Sequence, residues 1–307
     1  MSDAVWKQAS LPVSRGGLDI RRTEDLSLPA FLASVHSVHH LILEIASAAD
    51  LDAITADAAI QWSAATTHQP PDQPRIQKLW DRPIVEQAVQ DVFAAVGEVG
   101  RARLLAVTSE FAGAWLNTLP VSSLGNLLDD NQLRITVALR LGATVCQPHH
   151  CQACGKEVRE DGHHGLSCAY GDSRGSRHAA INDVVQRALV SAGIPAILEP
   201  PGLCRADGKR PDGMTMTPFR QGKALLWDAT VWDTVAPSHI GGYMTEAGRA
   251  ARAVEEKKHR TYAELEGRYL FVPLAFETFG TWGAEAKRLI SEICRRITNR
   301  TRGPLNF

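Results

Sequence analysis

The sequence predicts an α+β protein in three parts. These are an all-helical region over residues 1–145, a small cysteine- and histidine-rich knuckle over 146–176, and an α/β core over 177–307. Three observations predict this division. Apolar residues recur at helical spacing through the first part. Four of the six cysteines crowd into the second: Cys146, Cys151, Cys154 and Cys168. In the third, helical periodicity alternates with short continuous apolar runs, the pattern of a layered α/β arrangement.

Composition narrows the class. The chain has 307 residues, enough for two or three domains, with 44% apolar and 22% charged residues, which is globular rather than disordered. No apolar run approaches the 18 residues of a membrane span, and the N-terminus lacks a basic-then-apolar leader pattern. An intracellular protein that is not secreted and uses no membrane is therefore expected, with nucleus and cytoplasm both left open. The formal net charge is −1, but residues 1–146 carry −5 and residues 147–307 carry +4. The C-terminal half is the better candidate for a polyanionic partner.

In the helical region, Ser27-Leu-Pro opens an apolar-periodic stretch over 31–48, with Leu32, Val35, Val38, Leu41, Ile42 and Ile45 on one stripe. Helices are expected over 51–62, 83–99, 101–116 and 131–141, with a turn or linker at Gln69-Pro-Pro-Asp-Gln-Pro. His36, His39 and His40 are read as the polar flank of a helix rather than a metal site. Asp129-Asp130 is the one pair that suggests polymerase carboxylates. It precedes Asn131 at a helix start, where acids favour the dipole, so it is read as a helix-start signal.

The knuckle reads Cys146-Gln-Pro-His-His-Cys151-Gln-Ala-Cys154-Gly155, then His163-His164-Gly-Leu-Ser-Cys168. The best ligand set is Cys151, Cys154, His164 and Cys168, spaced C-x2-C-x9-H-x3-C. Two cysteines separated by two residues fit one tight turn, and Gly155 permits the positive φ that such a turn needs. Four N/S ligands close a tetrahedral site with no open position, so a structural zinc is expected. Spacing alone leaves His163, His149 and Cys146 as competing ligands.

The core begins with a helix over 179–192, stopped by Gly193 and Pro195. Residues 196–199 read as a short strand and 200–207 as a loop. Gly202 and Gly208-Lys209-Arg210 do not make a phosphate loop, because the spacing is one residue too long and no Ser or Thr follows the lysine. Pro211-Asp212 sits at a strand or turn. Residues 223–232 form a buried strand with one acid, Asp228, in an apolar run, and a buried charge must be paired or metal-bound. A charged helix over 247–266 carries Lys258, a second apolar strand covers 269–276, and a basic helix follows over 284–298. Two carboxylates on adjacent strands suit a hard divalent ion such as Mg²⁺ or Mn²⁺, with a lysine offsetting developing charge. Glu199, at a strand end, is a third candidate acid. This is the layout of phosphodiester hydrolysis.

These residues resemble, in order, the C-terminal region of non-LTR retrotransposon proteins that encode a restriction-like endonuclease downstream of the reverse transcriptase. The matching series is the Cys151, Cys154, His164, Cys168 knuckle, then Arg177-His178 with Asn182. Arg210-Pro211-Asp212, the Trp227-Asp228-Ala-Thr strand and the helix with Lys258 and Tyr262 follow. Phe271-Val-Pro-Leu-Ala-Phe-Glu277-Thr-Phe-Gly280 closes the match, and Leu11-Pro-Val-Ser-Arg-Gly-Gly-Leu-Asp-Ile20 resembles the segment just past the polymerase palm, where thumb and linker helices begin. The resemblance implies a restriction-endonuclease-like core of the PD-(D/E)XK class. It implies Asp212 and Asp228 as metal-binding acids and Lys258 as a catalytic lysine supplied from a helix, with DNA as partner and the element's RNA as a second candidate. Two departures stand out. Thr230 occupies the usual lysine position of the class motif, and Thr261 stands where the retroelement pattern often has another lysine. The palm has no counterpart in the 307 residues. The expectation is a DNA-nicking endonuclease domain, with an inactive zinc-containing nucleic-acid-binding remnant as the alternative.

Overall fold

The computed structural model describes residues 2–171, 173–204, 208–236 and 246–301. The chain divides into two compact units, Met1–Val96 and Gly97–Phe307.

In the first unit, tryptophan packing sets the arrangement of α1 (Asp3–Ser10), α2 (Thr23–Ser37), α3 (His39–Ile45), α4 (Leu51–Thr66) and α5 (Gln77–Ala94). Trp62 of α4 and Trp80 of α5 meet edge to face at 4.8 Å and pack against Leu32 and Ala33 of α2. Both indole N–H groups are satisfied by carbonyls, Trp62 donating to Trp80 at 3.1 Å and Trp80 to Pro74 at 2.8 Å. Between α1 and α2 the chain doubles back through Gly17, where an added Cβ would come within 1.9 Å of the Leu11 carbonyl oxygen.

Two prolines misled the sequence expectation here. The helix expected over 31–48 starts at Thr23 and is interrupted at Val38, while that expected over 83–99 covers Gln77–Ala94. Pro favours the first turn of a helix, which suggested starts at Pro29 and Pro83. Both lie instead inside the helices, and Pro29 is buried. The axes of α2 and α3 differ by 61°, and no single helix among the described residues is long and apolar enough to cross a membrane.

The second unit opens with α6 (Glu98–Val107), shorter than the expected 101–116. Hydroxyls end it. Thr108 Oγ1 donates back to the Leu104 and Leu105 carbonyls and Ser109 Oγ to Ala106, competing with the helical ladder. Residues just past α6 dock onto the core: Ser109 Oγ lies 3.2 Å from Thr281 Oγ1, and Lys287 pairs with Glu110 at 3.1 Å. Helix α7 (Asp130–Leu141) begins with Asp129 as N-cap in a reciprocal capping box with Gln132. The Asp129-Asp130 pair is thus a helix start, as expected. The knuckle follows as β1 (His149–His150) paired antiparallel with β2 (Glu157–Val158), then the single turn α8 (His164–Ser167).

The core is α9 (Ser173–Ser191), β3 (Ala196–Leu198), β4 (Gly213–Thr215), β5 (Leu225–Trp232), α10 (Arg249–Glu266), β6 (Leu270–Glu277) and α11 (Ala284–Thr301). The expected order of helix, strand, strand, strand, helix, strand, helix is therefore present. The sheet order is β3-β4-β5-β6; the first two pairings are antiparallel, and β5 and β6 run parallel. A parallel pair needs a crossover, here α10. Leu225, Trp227 and Ala229 of β5 share a core with Val185 and Leu189 of α9 and Leu289 and Ile293 of α11. Leu226 packs on the other face, with Tyr262 of α10 and Phe271 of β6. Alternation along the strand thus puts Asp228 on the α10 face.

Two buried glutamates lock the helices of this core. Glu277, at the end of β6, accepts from the Ala251 N–H at 3.2 Å in the first turn of α10. Glu255 of α10 accepts from the Glu285 N–H at 2.9 Å in the first turn of α11, and Gly283 must lack a side chain because its Cβ would meet Glu255 Oε1 at 2.0 Å. Burial raises the carboxyl pKa of both glutamates.

Candidate functional site

The knuckle turn brings four ligand atoms together. One each from Cys151, Cys154, His164 and Cys168, they all lie within 4.8 Å of one another. Cys151 Sγ is 3.9 Å from Cys168 Sγ, and Cys154 Sγ is 3.2 Å from His164 Nε2. Tetrahedral coordination at a metal–sulfur distance of about 2.3 Å requires sulfurs about 3.8 Å apart, so the set could hold a metal such as zinc. Gly155 adopts φ 69° with open space around its Cβ position, so the turn uses its backbone freedom. Backbone N–H groups of Cys154 and Ala153, with the His164 side chain, lower the Cys151 thiol to about 6. The knuckle backbone thus favours the thiolate that a metal needs.

The competing ligands are engaged elsewhere. His163 sets its ring edge-on to Phe279 at 5.4 Å. His149 Nδ1 lies 2.8 Å from the Gln147 carbonyl oxygen, and Cys146 Sγ lies 3.4 Å from that of Arg159.

A second constellation sits where the start of β4 meets the middle of β5. A cavity of about 510 Å³ is lined by Asp212, Asp228 and Lys258, with His178, Thr230 and Tyr262 beside them and Arg174, Arg177, Lys209 and Arg210 around them. Asp212 precedes Gly213, which pairs with Trp227, so the two acids meet across neighbouring strands. Asp212 Oδ2 accepts from His178 Nε2 at 2.9 Å and from the Ala229 N–H at 2.6 Å. Burial raises the Asp212 carboxyl, the nearby Asp228 charge raises it further, and the Ala229 N–H and His178 oppose the shift. Asp228 is 4% exposed, and its Oδ1 accepts from Lys258 Nζ. Tyr262 donates its hydroxyl to the Arg210 carbonyl at 2.9 Å, tying α10 to the segment before Asp212.

Asp212, Asp228 and Lys258 are therefore brought together. Glu199 is not. Its N–H donates to the Asp212 carbonyl at 2.7 Å, but its side chain pairs with Arg210 and is absent from the cavity lining. Its left-handed φ of 51° ends β3 and turns the side chain off the strand's alternation. In the expected loop over 200–207, positions 205–207 lie outside the described residues.

Composition and spacing alone missed the support behind Asp212. His178 and Asn182 are one helical turn apart on α9, a spacing that puts both on one face. The Asn182 amide lowers the Asp212 carboxyl, and Asn182 Oδ1 accepts from Trp227 Nε1 at 3.0 Å. The detectable signal was two polar residues four apart in an otherwise apolar stripe. Comparison of the chain with family models gives no match, and comparison with curated proteins gives none.

Proposed function

We infer that this chain is a divalent-metal-dependent DNA endonuclease of the retroelement type. Its restriction-endonuclease-like core nicks a phosphodiester, and a zinc-bearing knuckle supports it. The observation that carries the reading is the meeting of Asp212, Asp228 and Lys258 in one cavity bordered by Arg174, Arg177, Lys209 and Arg210.

The two donor sets suit different ions. Three thiols and an imidazole are soft and close a tetrahedron, which suits structural zinc held by Cys151, Cys154, His164 and Cys168. Two carboxylates are hard and few, which suits Mg²⁺ or Mn²⁺, an ion commonly held by one or two carboxylates with the rest of its shell left to water and substrate phosphate. When bound, such an ion supplies Lewis-acid stabilisation and lowers the pKa of water.

The remaining work falls to this chain's own side chains. Asp212 and Asp228 would hold the ion from adjacent strands. Lys258 reaches Asp228 from α10, so its ammonium would stand near a phosphoryl group held at the two acids, where charge develops. Thr230 also lines the cavity at the usual lysine position of the class motif, so Lys258 takes that role from a different element. The four border cations suit phosphates on either side of the scissile bond, a sequence-independent contribution to binding.

Nicking of supercoiled plasmid in Mg²⁺ or Mn²⁺, wild type beside Asp228→Ala, tests the reading. Nicking lost in the variant supports it. DNA retained without nicking by either protein supports the inactive zinc-containing nucleic-acid-binding remnant, a reading that the Thr230 and Thr261 departures favour.

A further inference from the structure

Resting on the endonuclease reading, we propose that His178 and Asn182 of α9 are positioning residues that set the rotamer of Asp212, so that Oδ1 is the oxygen presented to the divalent ion. A carboxylate oxygen has two lone-pair sites. On Oδ2 both are taken, by His178 Nε2 at 2.9 Å and the Ala229 N–H at 2.6 Å. Oδ1 is the oxygen assigned to the ion, on a side chain that lines the cavity and also interacts with the Asn182 amide. The Ala229 bond comes from β5, the strand that carries Asp228, and the His178 bond comes from the opposite side. Together they hold the carboxylate between two elements.

The orientation is set from the protein interior. Trp227 is fully buried, and its indole N–H, a donor only, donates to Asn182 Oδ1 at 3.0 Å. This fixes which end of the Asn182 amide is oxygen. The amide nitrogen then turns toward the site and lies 3.4 and 3.5 Å from the two ring nitrogens of His178, steadying the imidazole that holds Asp212. Trp227 can lie where it does because the opposing residue is Gly213, whose added Cβ would come 2.0 Å from the indole ring. The series Gly213, Trp227, Asn182, His178 and Asp212 thus passes from the buried sheet to the metal-facing carboxylate. Outer partners that orient a metal ligand typically carry ten- to hundredfold in metal affinity.

The test is Mn²⁺ titration of the zinc-loaded full chain followed by electron paramagnetic resonance, with plasmid nicking as a function of Mg²⁺. Asp228→Ala serves as reference, and far-UV circular dichroism and zinc content check folding. His178 is about half exposed, with 45% side-chain accessibility, so His178→Ala should fold. We expect it to weaken Mn²⁺ at least tenfold and to raise the Mg²⁺ concentration for half-maximal nicking similarly. The rate at saturating metal should stay within about threefold of wild type. His178→Gln, which keeps an N–H donor, should recover most of the affinity. Trp227→Phe, which removes the indole N–H together with the five-membered ring of a fully buried side chain, should lose affinity with His178 intact, its far-UV circular dichroism and zinc content showing that the core still folds. Wild-type affinity in both His178→Ala and Trp227→Phe overturns the positioning role while leaving the endonuclease reading standing. Wild type binding Mn²⁺ no better than Asp228→Ala overturns the endonuclease reading itself.

Discussion

Lys258 and Asp228 are thirty residues apart in the chain, yet the ammonium donates directly to the carboxylate. Topology explains it. Lys258 lies on the crossover helix between two parallel strands, and strand alternation turns Asp228 to the face that this helix covers. Lys258→Ala should lower nicking at saturating metal by about 10²–10³, the cost of removing one donor aimed at developing charge. DNA retention should change little. Lys258→Arg should not restore the rate, because a planar guanidinium does not replace a compact ammonium. Single-turnover nicking with a gel-shift control measures both.

Metal analysis of the purified chain should return one zinc per molecule. Cys154→Ser should lose it, whereas His163→Ala should keep it, since His163 packs on Phe279 outside the ligand set. Chelation should lower the melting temperature of the second unit by about 5–10 °C, corresponding to roughly 2–3 kcal/mol for a unit of this size. Differential scanning calorimetry with and without chelator checks this.

His259 should make stability fall as pH rises above neutral. Its Nδ1 lies 2.5 Å from Glu266 Oε1 and its Nε2 lies 2.7 Å from Glu285 Oε1, so both ring nitrogens face carboxylates while Phe271 meets the ring at its edge. Burial alone would lower the His259 pKa, but bonds to the two glutamates raise it overall. A raised folded-state pKa stabilises fully below the ordinary histidine value of about 6.5, and that contribution is lost as pH climbs through the raised value. The effect should be the size of an exposed pair, about 0.2–1 kcal/mol. Urea unfolding at pH 6 and pH 8.5 should give a smaller difference for His259→Gln than for wild type.

Arg174 borders the cavity one helical turn before His178. Arg174→Ala should weaken DNA binding to all sequences alike and reduce the slope of log affinity against log salt by about one. Fluorescence anisotropy across 50–200 mM salt on two unrelated duplexes measures it. A loss confined to one duplex would instead mark base contact.

Much of the architecture was written locally. The knuckle ligands are legible because C-x2-C geometry is set within one turn. Asp228 is legible because a lone acid in an apolar strand needs a partner wherever the strand goes. The Asp129-Asp130 helix start is legible because capping is decided within four residues. Other features were not. Pro29 and Pro83 carry a local start signal, but tertiary packing around Trp62 and Trp80 extends both helices past it. The two-residue strands of the knuckle are too short to leave a periodic trace.

By itself, then, the sequence determined the order of elements in the core, the zinc-type ligand set and the two acids and lysine that could do chemistry. These depend on residue type, short spacing and hydrophobic period, which act over one turn or one strand. Only the tertiary structure decided that Glu199 pairs with Arg210 instead of joining the acids, because a left-handed residue at a strand end redirects its side chain. Only it placed His178 and Asn182 behind Asp212 and turned Asn182 by the Trp227 indole. Those contacts join residues 34 and 45 positions apart, and a sequence cannot express a hydrogen bond whose two ends are brought together by the sheet and helix between them.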